Sequence, residues 1–253
     1  MARPARVSPD RILAAAAFEF ADRGFAGARV DRIARRARVN KAMLYYHFRS
    51  KQALYRTILR QMFSAAGERL HRIARSHRTP QEKIDELIAA LAVLIREHAS
   101  FPAIMLREVA EGGAHLDRDT LAALASVPRA VADIVQQGIS QGAFRPVNPI
   151  FAHFSLLPPV LFYLAGTPIR KAMAHLHLMK LPAATPDDFV RHLQDAARRA
   201  LARDVAPPSS VSGKPKHGAG RPAPPAKKRP EFVQASRAKR ATRSPWGMTR
   251  TGS

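Results

Sequence analysis

An all-α fold is predicted by three observations. Apolar residues recur at three- and four-residue spacings through successive segments of 1–205, and no stretch of that range alternates apolar with polar residues as a strand would. Several of these segments open on Ser, Thr or Asn next to a proline, the mark of a capped helix start. With 253 residues, 46% of them apolar, the chain has enough length for a sizeable core.

Taken in order, residues 2–7 read as a short basic arm in which Arg3 and Arg6 could reach a minor groove or a phosphate. Ser8-Pro9-Asp10 then starts a helix with a capping side chain, a proline at its first position and an acid in its first turn. Its apolar stripe is Ile12, Leu13, Ala16, Ala17 and Phe20, and Gly24 ends it. From Arg29 to Lys51 two short helical patterns flank a tight connection. The first carries Val30, Ile33, Ala34 and Ala37; the second, opened by Asn40 as N-cap, runs from Lys41 to Phe48 with Leu44 and Phe48 on one face. Its other face presents Lys41, Ala42, Met43, Tyr45, Tyr46 and His47, donors and aromatics suited to a major groove.

Ser50 is placed to cap a long helix from Lys51 to about Arg75, and Thr79-Pro80-Gln81-Glu82 forms a capping box for the next, through about His98. Ser100-Phe101-Pro102 opens a helix that stops at Gly112-Gly113. An amphipathic pattern follows from Asp119 to about Gln141, with a bend expected at Pro128. Asn148-Pro149 starts a segment apolar nearly all round, kinked at Pro158-Pro159, which must be buried in a core or between subunits. Thr185-Pro186 starts the last helix, to about Arg203. Past Val205 the composition shifts: residues 206–253 hold 8 of the 20 prolines and only two aromatics, Phe232 and Trp246, too little apolar surface to fold alone. This tail is expected to be disordered, and either inert or a salt-dependent contact to nucleic acid.

The stretch 29–51 closely resembles the DNA-binding helix-turn-helix of the TetR (tetracycline repressor) family, whose pattern is roughly T-x-x-x-I-A-x-x-A-G-V-S-x-G-x-L-Y-x-Y/H-F-x-S-K. Ile33, Ala34, Ala37, Val39, Leu44, Tyr45, His47, Phe48, Ser50 and Lys51 match it in register. Arg29, Arg38, Asn40 and Ala42 depart from the usual Thr, Gly, Ser and Gly. At Arg38 the departure implies either a right-handed backbone or strain at a positive φ. The resemblance implies a three-helix DNA-binding domain over 1–50 and a helical effector-binding and dimerisation domain over 51–205; the tail 206–253 lies outside it. It also implies that the helix starting at Lys51 links the two domains, and that a homodimer binds a palindromic operator in double-stranded DNA.

Charge agrees with that reading. Residues 1–60 carry 14 Lys/Arg against 4 Asp/Glu, and residues 206–253 carry 11 against 1, a net +10 at each end of a chain whose total is +23. With no cysteine, disulfides and thiolate metal sites are excluded. No apolar run approaches the ~20 residues of a membrane span and no leader follows the basic N-terminus, so a cytoplasmic protein without a membrane partner is expected. No phosphate loop, nucleophile elbow or zinc-protease motif is present, so neither an enzyme nor a cofactor is expected. His175 and His177 do not share a helix face, and with His115 and His153 scattered and no acidic pair completing a set, no metal site is expected.

By position in the resemblance, Lys41, Ala42, Met43 and Tyr45 or Tyr46 are assigned to the groove, His47 and Lys51 to phosphates, and Arg29, Arg38 and Asn40 to the flanks. Tyr45 could instead be partly core, next to Leu44. For the body, Phe101, Met105, Arg107, Glu108, Glu111, His115, Phe154, Phe162 and Tyr163 are candidates for an effector pocket, with plain core as the competing role of the apolar ones and an i,i+4 ion pair as that of Arg107 with Glu111. So many apolar candidates suggest a hydrophobic small-molecule effector, and family members of this kind often control efflux or detoxification genes. Phe151, Leu157, Leu161, Phe189, Leu193, Ala197 and Leu201 are assigned to a dimer interface. The competing reading is a basic architectural protein that coats nucleic acid without an effector.

Overall fold

The structure is a computed structural model that describes residues 8–178, 180 and 184–203. The expectations for the arm 2–7 and the tail 206–253 lie outside these residues. The described residues fall in one compact unit, 1–205, and are helical with no strand among them. Among the described residues eleven helices follow in order: α1 (Pro9–Gly27), α2 (Val30–Ala37), α3 (Lys41–Phe48), α4 (Lys51–Ala74), α5 (Pro80–Glu97), α6 (Phe101–Ala110), α7 (Arg118–Ser140), α8 (Pro149–Leu156), α9 (Pro158–Ala165), α10 (Thr167–His175) and α11 (Pro186–Leu201). Among the described residues no single helix is long and apolar enough to cross a membrane.

Helix starts follow the capping chemistry. Ser8, Asn40, Ser50, Thr79 and Thr185 each accept a hydrogen bond from a backbone N–H of the first turn they precede. At Thr79 and Thr185 the third helical residue, Glu82 or Asp188, returns a bond to the cap's own N–H, closing a capping box. These backbone and hydroxyl donors hold both carboxyls below their ordinary range. The chain turns at Gly24, inside the span of α1, with φ 68° and ψ 177°. Pro158 divides the apolar segment into α8 and α9, whereas α7 continues through Pro128. Helix α10 was outside the predicted elements; it has no buried residue, so no apolar stripe signals it.

Two apolar clusters form the core. One gathers Ile12, Ala16 and Phe20 of α1, Ile33 and Ala37 of α2, Leu44 and Phe48 of α3, the first half of α4 from Leu54 to Phe63, and Ile104 of α6. The other gathers the end of α4 with α5, α7, α8, α9 and α11. Helix α4 contributes to both and packs most extensively on α7, where Gly67 lets Ser126 approach: a Cβ at Gly67 would lie 2.8 Å from the Ser126 Cβ. Phe101, at the start of α6, packs against both clusters and meets Phe63 edge-on at 5.8 Å.

Candidate nucleic-acid interface and the α6 cluster

Helix α3 is anchored by two buried residues, Leu44 and Phe48, and everything else on it faces outward. Tyr46 is 82% exposed and Tyr45 is 40% exposed, with Ala42, Met43 and His47 beside them. Tyr45 is therefore available on the surface. An exposed Tyr, 82% accessible on an eight-residue helix, is poorly explained by packing and well suited to a groove. Asn40 Oδ1 accepts from the Met43 N–H at 2.7 Å, so its side chain acts as the cap of α3. Lys41 is tethered to Asp31 of α2 at 3.0 Å, an exposed pair, and the hydrogen bond to Asp31 holds the ammonium pKa above its ordinary value.

Of the two alternatives open at Arg38 the structure has the strained one, and one assigned contact, Lys51, behaves differently from expectation. Arg38 takes the left-handed conformation, φ 53° and ψ 47°, and ends α2 as its C-cap. The connection thus keeps the backbone a glycine would favour, and Arg38 occupies it at a cost in strain. Lys51 does not project outward to a phosphate. Its ammonium donates to the carbonyls of Phe25 at 2.9 Å and Ala28 at 3.2 Å, and lies 4.6 Å from the Phe25 ring centroid. The reason is local: α1 ends there with carbonyls lacking helical partners, and the first residue of α4 sits within reach of them. Arg29 and Arg38 remain exposed beside α3.

The body candidates separate into three groups. Phe101 and Met105 are half-buried against the first core cluster. Phe154 and Phe162 are 65% and 71% exposed, because α8 and α9 turn them away from the core that Leu156 and Val160 fill. Tyr163 stacks on Phe189 at 4.0 Å and lies under the Arg170 guanidinium at 3.9 Å. A groove of about 450 Å³ between α4 and α5 is lined by Arg69, Arg72, Ile73, Arg78, Ala90 and Val93 among others, and by none of the candidates. Of the residues assigned to a dimer interface, Leu157, Leu193, Ala197 and Leu201 are buried in the chain's own core and offer no free surface. Leu161 and Phe189 are partly buried against the same core, and Phe151 is 67% exposed.

The third group was not expected to meet. After α6, Gly112 and Gly113 take φ of 68° and 75°, which turns the chain back so that His115 faces the helix it has just left. His115 Nδ1 lies 2.8 Å from Glu108 Oε1 and 3.3 Å from Glu111 Oε2. Sequence spacing alone does not bring these two carboxylates to His115; their approach depends on the glycine turn. Tyr55 of α4 donates its hydroxyl to Glu108 Oε1 at 2.7 Å, and burial followed by this bond pushes the Tyr55 pKa upward, keeping it a neutral donor. The His115 ring packs 4.1 Å from that of Phe25, and Arg56 Nε donates to the His115 carbonyl at 2.8 Å. Arg107 reaches the Ala21 and Asp22 carbonyls of α1, in place of the expected pairing with Glu111.

Both the sequence and the fold match known proteins. The family model described as bacterial regulatory proteins, tetR family, matches residues 12–58, and the one described as tetracyclin repressor-like, C-terminal domain, matches residues 80–194. The chain is 26% identical over 196 residues to the HTH-type transcriptional repressor NicS of Pseudomonas putida, spanning 77% of this chain and 92% of that protein. It is 31% identical over 139 residues to the HTH-type transcriptional repressor KstR2 of Mycolicibacterium smegmatis, spanning 54% of this chain and 67% of that one. In fold it is similar to the Bacillus subtilis transcriptional regulator FadR, solved with stearoyl-CoA, at a TM-score of 0.62, 15% identity and 77% and 100% coverage of the two chains. The Thermus thermophilus regulator PfmR gives a TM-score of 0.57 at 23% identity, with 78% and 98% coverage. Two family models in chain order, laid over an outward-facing α3 and the helical body behind it, show that this chain belongs to the TetR family of bacterial transcriptional regulators.

Proposed function

We propose that the protein is a ligand-responsive repressor that binds a palindromic operator as a homodimer. The observation that carries this reading is the α3 face: Ala42, Met43, Tyr45, Tyr46 and His47 all exposed on a helix pinned by only Leu44 and Phe48. Residues 1–50 would engage DNA, and 51–205 would hold the effector and the dimer surface. Tyr46 and Met43 would meet base edges, with Arg29 and Arg38 on the flanking phosphates and Lys41 exchanging Asp31 for DNA.

The dimer surface in this reading is the exposed apolar patch of α8 to α10, Ile150, Phe151, Phe154, Phe162 and Ile169, each about half or more exposed. A second copy is its natural cover, since two α3 helices roughly 34–36 Å apart are what successive major grooves require. The effector is a hydrophobic small molecule acting near Phe101 and Met105. Phe101 packs against both core clusters, so a wedge beside it would shift one against the other. Ligand and DNA must then weaken each other equally, because the coupling is a shared free energy. Control of efflux or detoxification genes is the role that fits such an effector.

Selection of bound sequences from a random duplex pool tests the reading. A palindromic consensus is expected from the wild-type chain. Tyr46→Ala should lose roughly tenfold or more in affinity for that consensus, the scale of one base contact, with unchanged thermal stability. Recovery of no consensus, or the same consensus at the same affinity from Tyr46→Ala, would overturn the assignment of α3.

A further inference from the structure

We infer that Glu108, Glu111 and His115 form a binding site for a first-row divalent transition cation, of the Zn²⁺ or Mn²⁺ class, where α6 and its glycine turn pack on α1 and α4. Three observations carry it. The first is spacing. One ligand atom from each of the three residues lies within 4.8 Å of the others, and the separations from His115 Nδ1 are 2.8 and 3.3 Å. Donors held at 2.0–2.2 Å from a common ion sit roughly 2.8–3.5 Å apart, so the two separations from His115 Nδ1 already match edges of a coordination polyhedron.

The second is an unmet acceptor. Glu108 is 2% exposed, and while its Oε1 takes both the Tyr55 hydroxyl and the approach of His115, its Oε2 is buried without any hydrogen-bond partner. A buried carboxylate oxygen with no donor is costly, and a cation at the same carboxyl removes the cost. The third is the surrounding shell. Tyr55 orients Glu108, and Arg56 holds the His115 carbonyl while pairing with Asp117 at 3.6 Å. Such outer contacts fix the ligands of protein-bound metals. Two carboxylates with one imidazole are a mixed oxygen and nitrogen set, which favours borderline transition ions over Mg²⁺ or Ca²⁺. Binding uses the Nδ1 lone pair of the neutral ring, whose one proton is then carried on Nε2.

The location gives the site a consequence. Glu108 is adjacent to Arg107, which reaches the α1 carbonyls, and His115 packs on Phe25 of α1. An ion would therefore fix α6 against the helices that carry α3, and shift operator affinity. That coupling rests on the regulator reading; the site itself does not.

The test uses the full chain, stripped with chelator and titrated calorimetrically with Zn²⁺, Mn²⁺ and Mg²⁺, beside Glu111→Gln and His115→Gln. Glu111 is 44% exposed, so its amide variant keeps the fold and separates lost ligation from lost structure. The expected result is one Zn²⁺ or Mn²⁺ per chain, a raised Tm on binding, weaker Mg²⁺ binding, and affinity lower by about 10-fold or more in both variants. No saturable binding of Zn²⁺ or Mn²⁺, or equal binding by wild type and both variants, overturns the site. Operator affinity in the same samples divides the claims. Binding of the ion without a change in DNA affinity overturns the coupling alone, and absence of any preferred DNA overturns the regulator reading alone.

Discussion

Replacing Arg38 with glycine should stabilise the protein while weakening its hold on DNA. Arg38 ends α2 at φ 53° and ψ 47°, with its own N–H bonded to the Arg35 carbonyl and that of Val39 to the Ala34 carbonyl. A side chain with a Cβ in this region costs about 1–2 kcal/mol. Glycine removes that strain but brings a looser unfolded chain, which takes back about 0.5–1 kcal/mol. The net gain is about 0.5–1 kcal/mol, or a Tm rise of about 1–4 °C for a unit of this size. Arg38→Ala keeps the Cβ and so should stay within about 0.5 kcal/mol of wild type, as surface changes usually do. Urea or thermal unfolding of the three proteins measures this directly. On DNA, both variants should lower the salt slope by about one, the signature of one lost phosphate contact. A glycine variant no more stable than the alanine variant would refute the strain argument. An unchanged salt slope would remove Arg38 from the interface.

Further outcomes follow from the same contacts. Lys51→Met should cost about 1.5–3 kcal/mol of stability, the scale of charge-assisted hydrogen bonds, by leaving the Phe25 and Ala28 carbonyls without their donor; a loss of DNA affinity with full stability would instead return Lys51 to the phosphates. Phe162→Glu should yield a monomer by sedimentation with the protomer fold intact, because the ring is 71% exposed; a persistent dimer would move the interface away from α9. Glu82→Gln should flatten the acid limb of stability. Its pKa is lowered in the fold by the Thr79 N–H and hydroxyl, so its contribution is present above the unfolded value near pH 4.3 and disappears as pH falls through the folded one. Identical wild-type and variant profiles between about pH 2 and 5 would count against the capping box.

Much of the fold was legible because it is written in local chemistry. A Thr followed by Pro and an acid three residues on specifies a capping box from its own four residues, as at Thr79 and Thr185. Likewise the α3 face could be assigned because Leu44 and Phe48 are the only apolar anchors at helical spacing that pack. What was missed depends on partners distant in sequence. The stripe Leu193, Ala197 and Leu201 shows that one face of α11 is buried, but periodicity does not say against what; the protomer's own core takes it. The same limit placed Phe154 and Phe162 in a pocket when they lie on the surface. Lys51 lies 23 residues from the Ala28 carbonyl it caps, and Tyr55 lies 53 from Glu108, so neither contact has a sequence period. For the α6 cluster one signal was available: two consecutive glycines between Glu111 and His115, a turn tight enough to fold a histidine back on its own helix.

Specific DNA recognition by the α3 face is tested by binding to the DNA upstream of the protein's own gene, set against scrambled DNA of equal length across a salt series. With and without residues 206–253, a preference of about 10³-fold or more is expected, the lower edge for specific binders. No preference, with a steep salt dependence that flattens when the tail is removed, would contradict it and make charge alone the basis of binding.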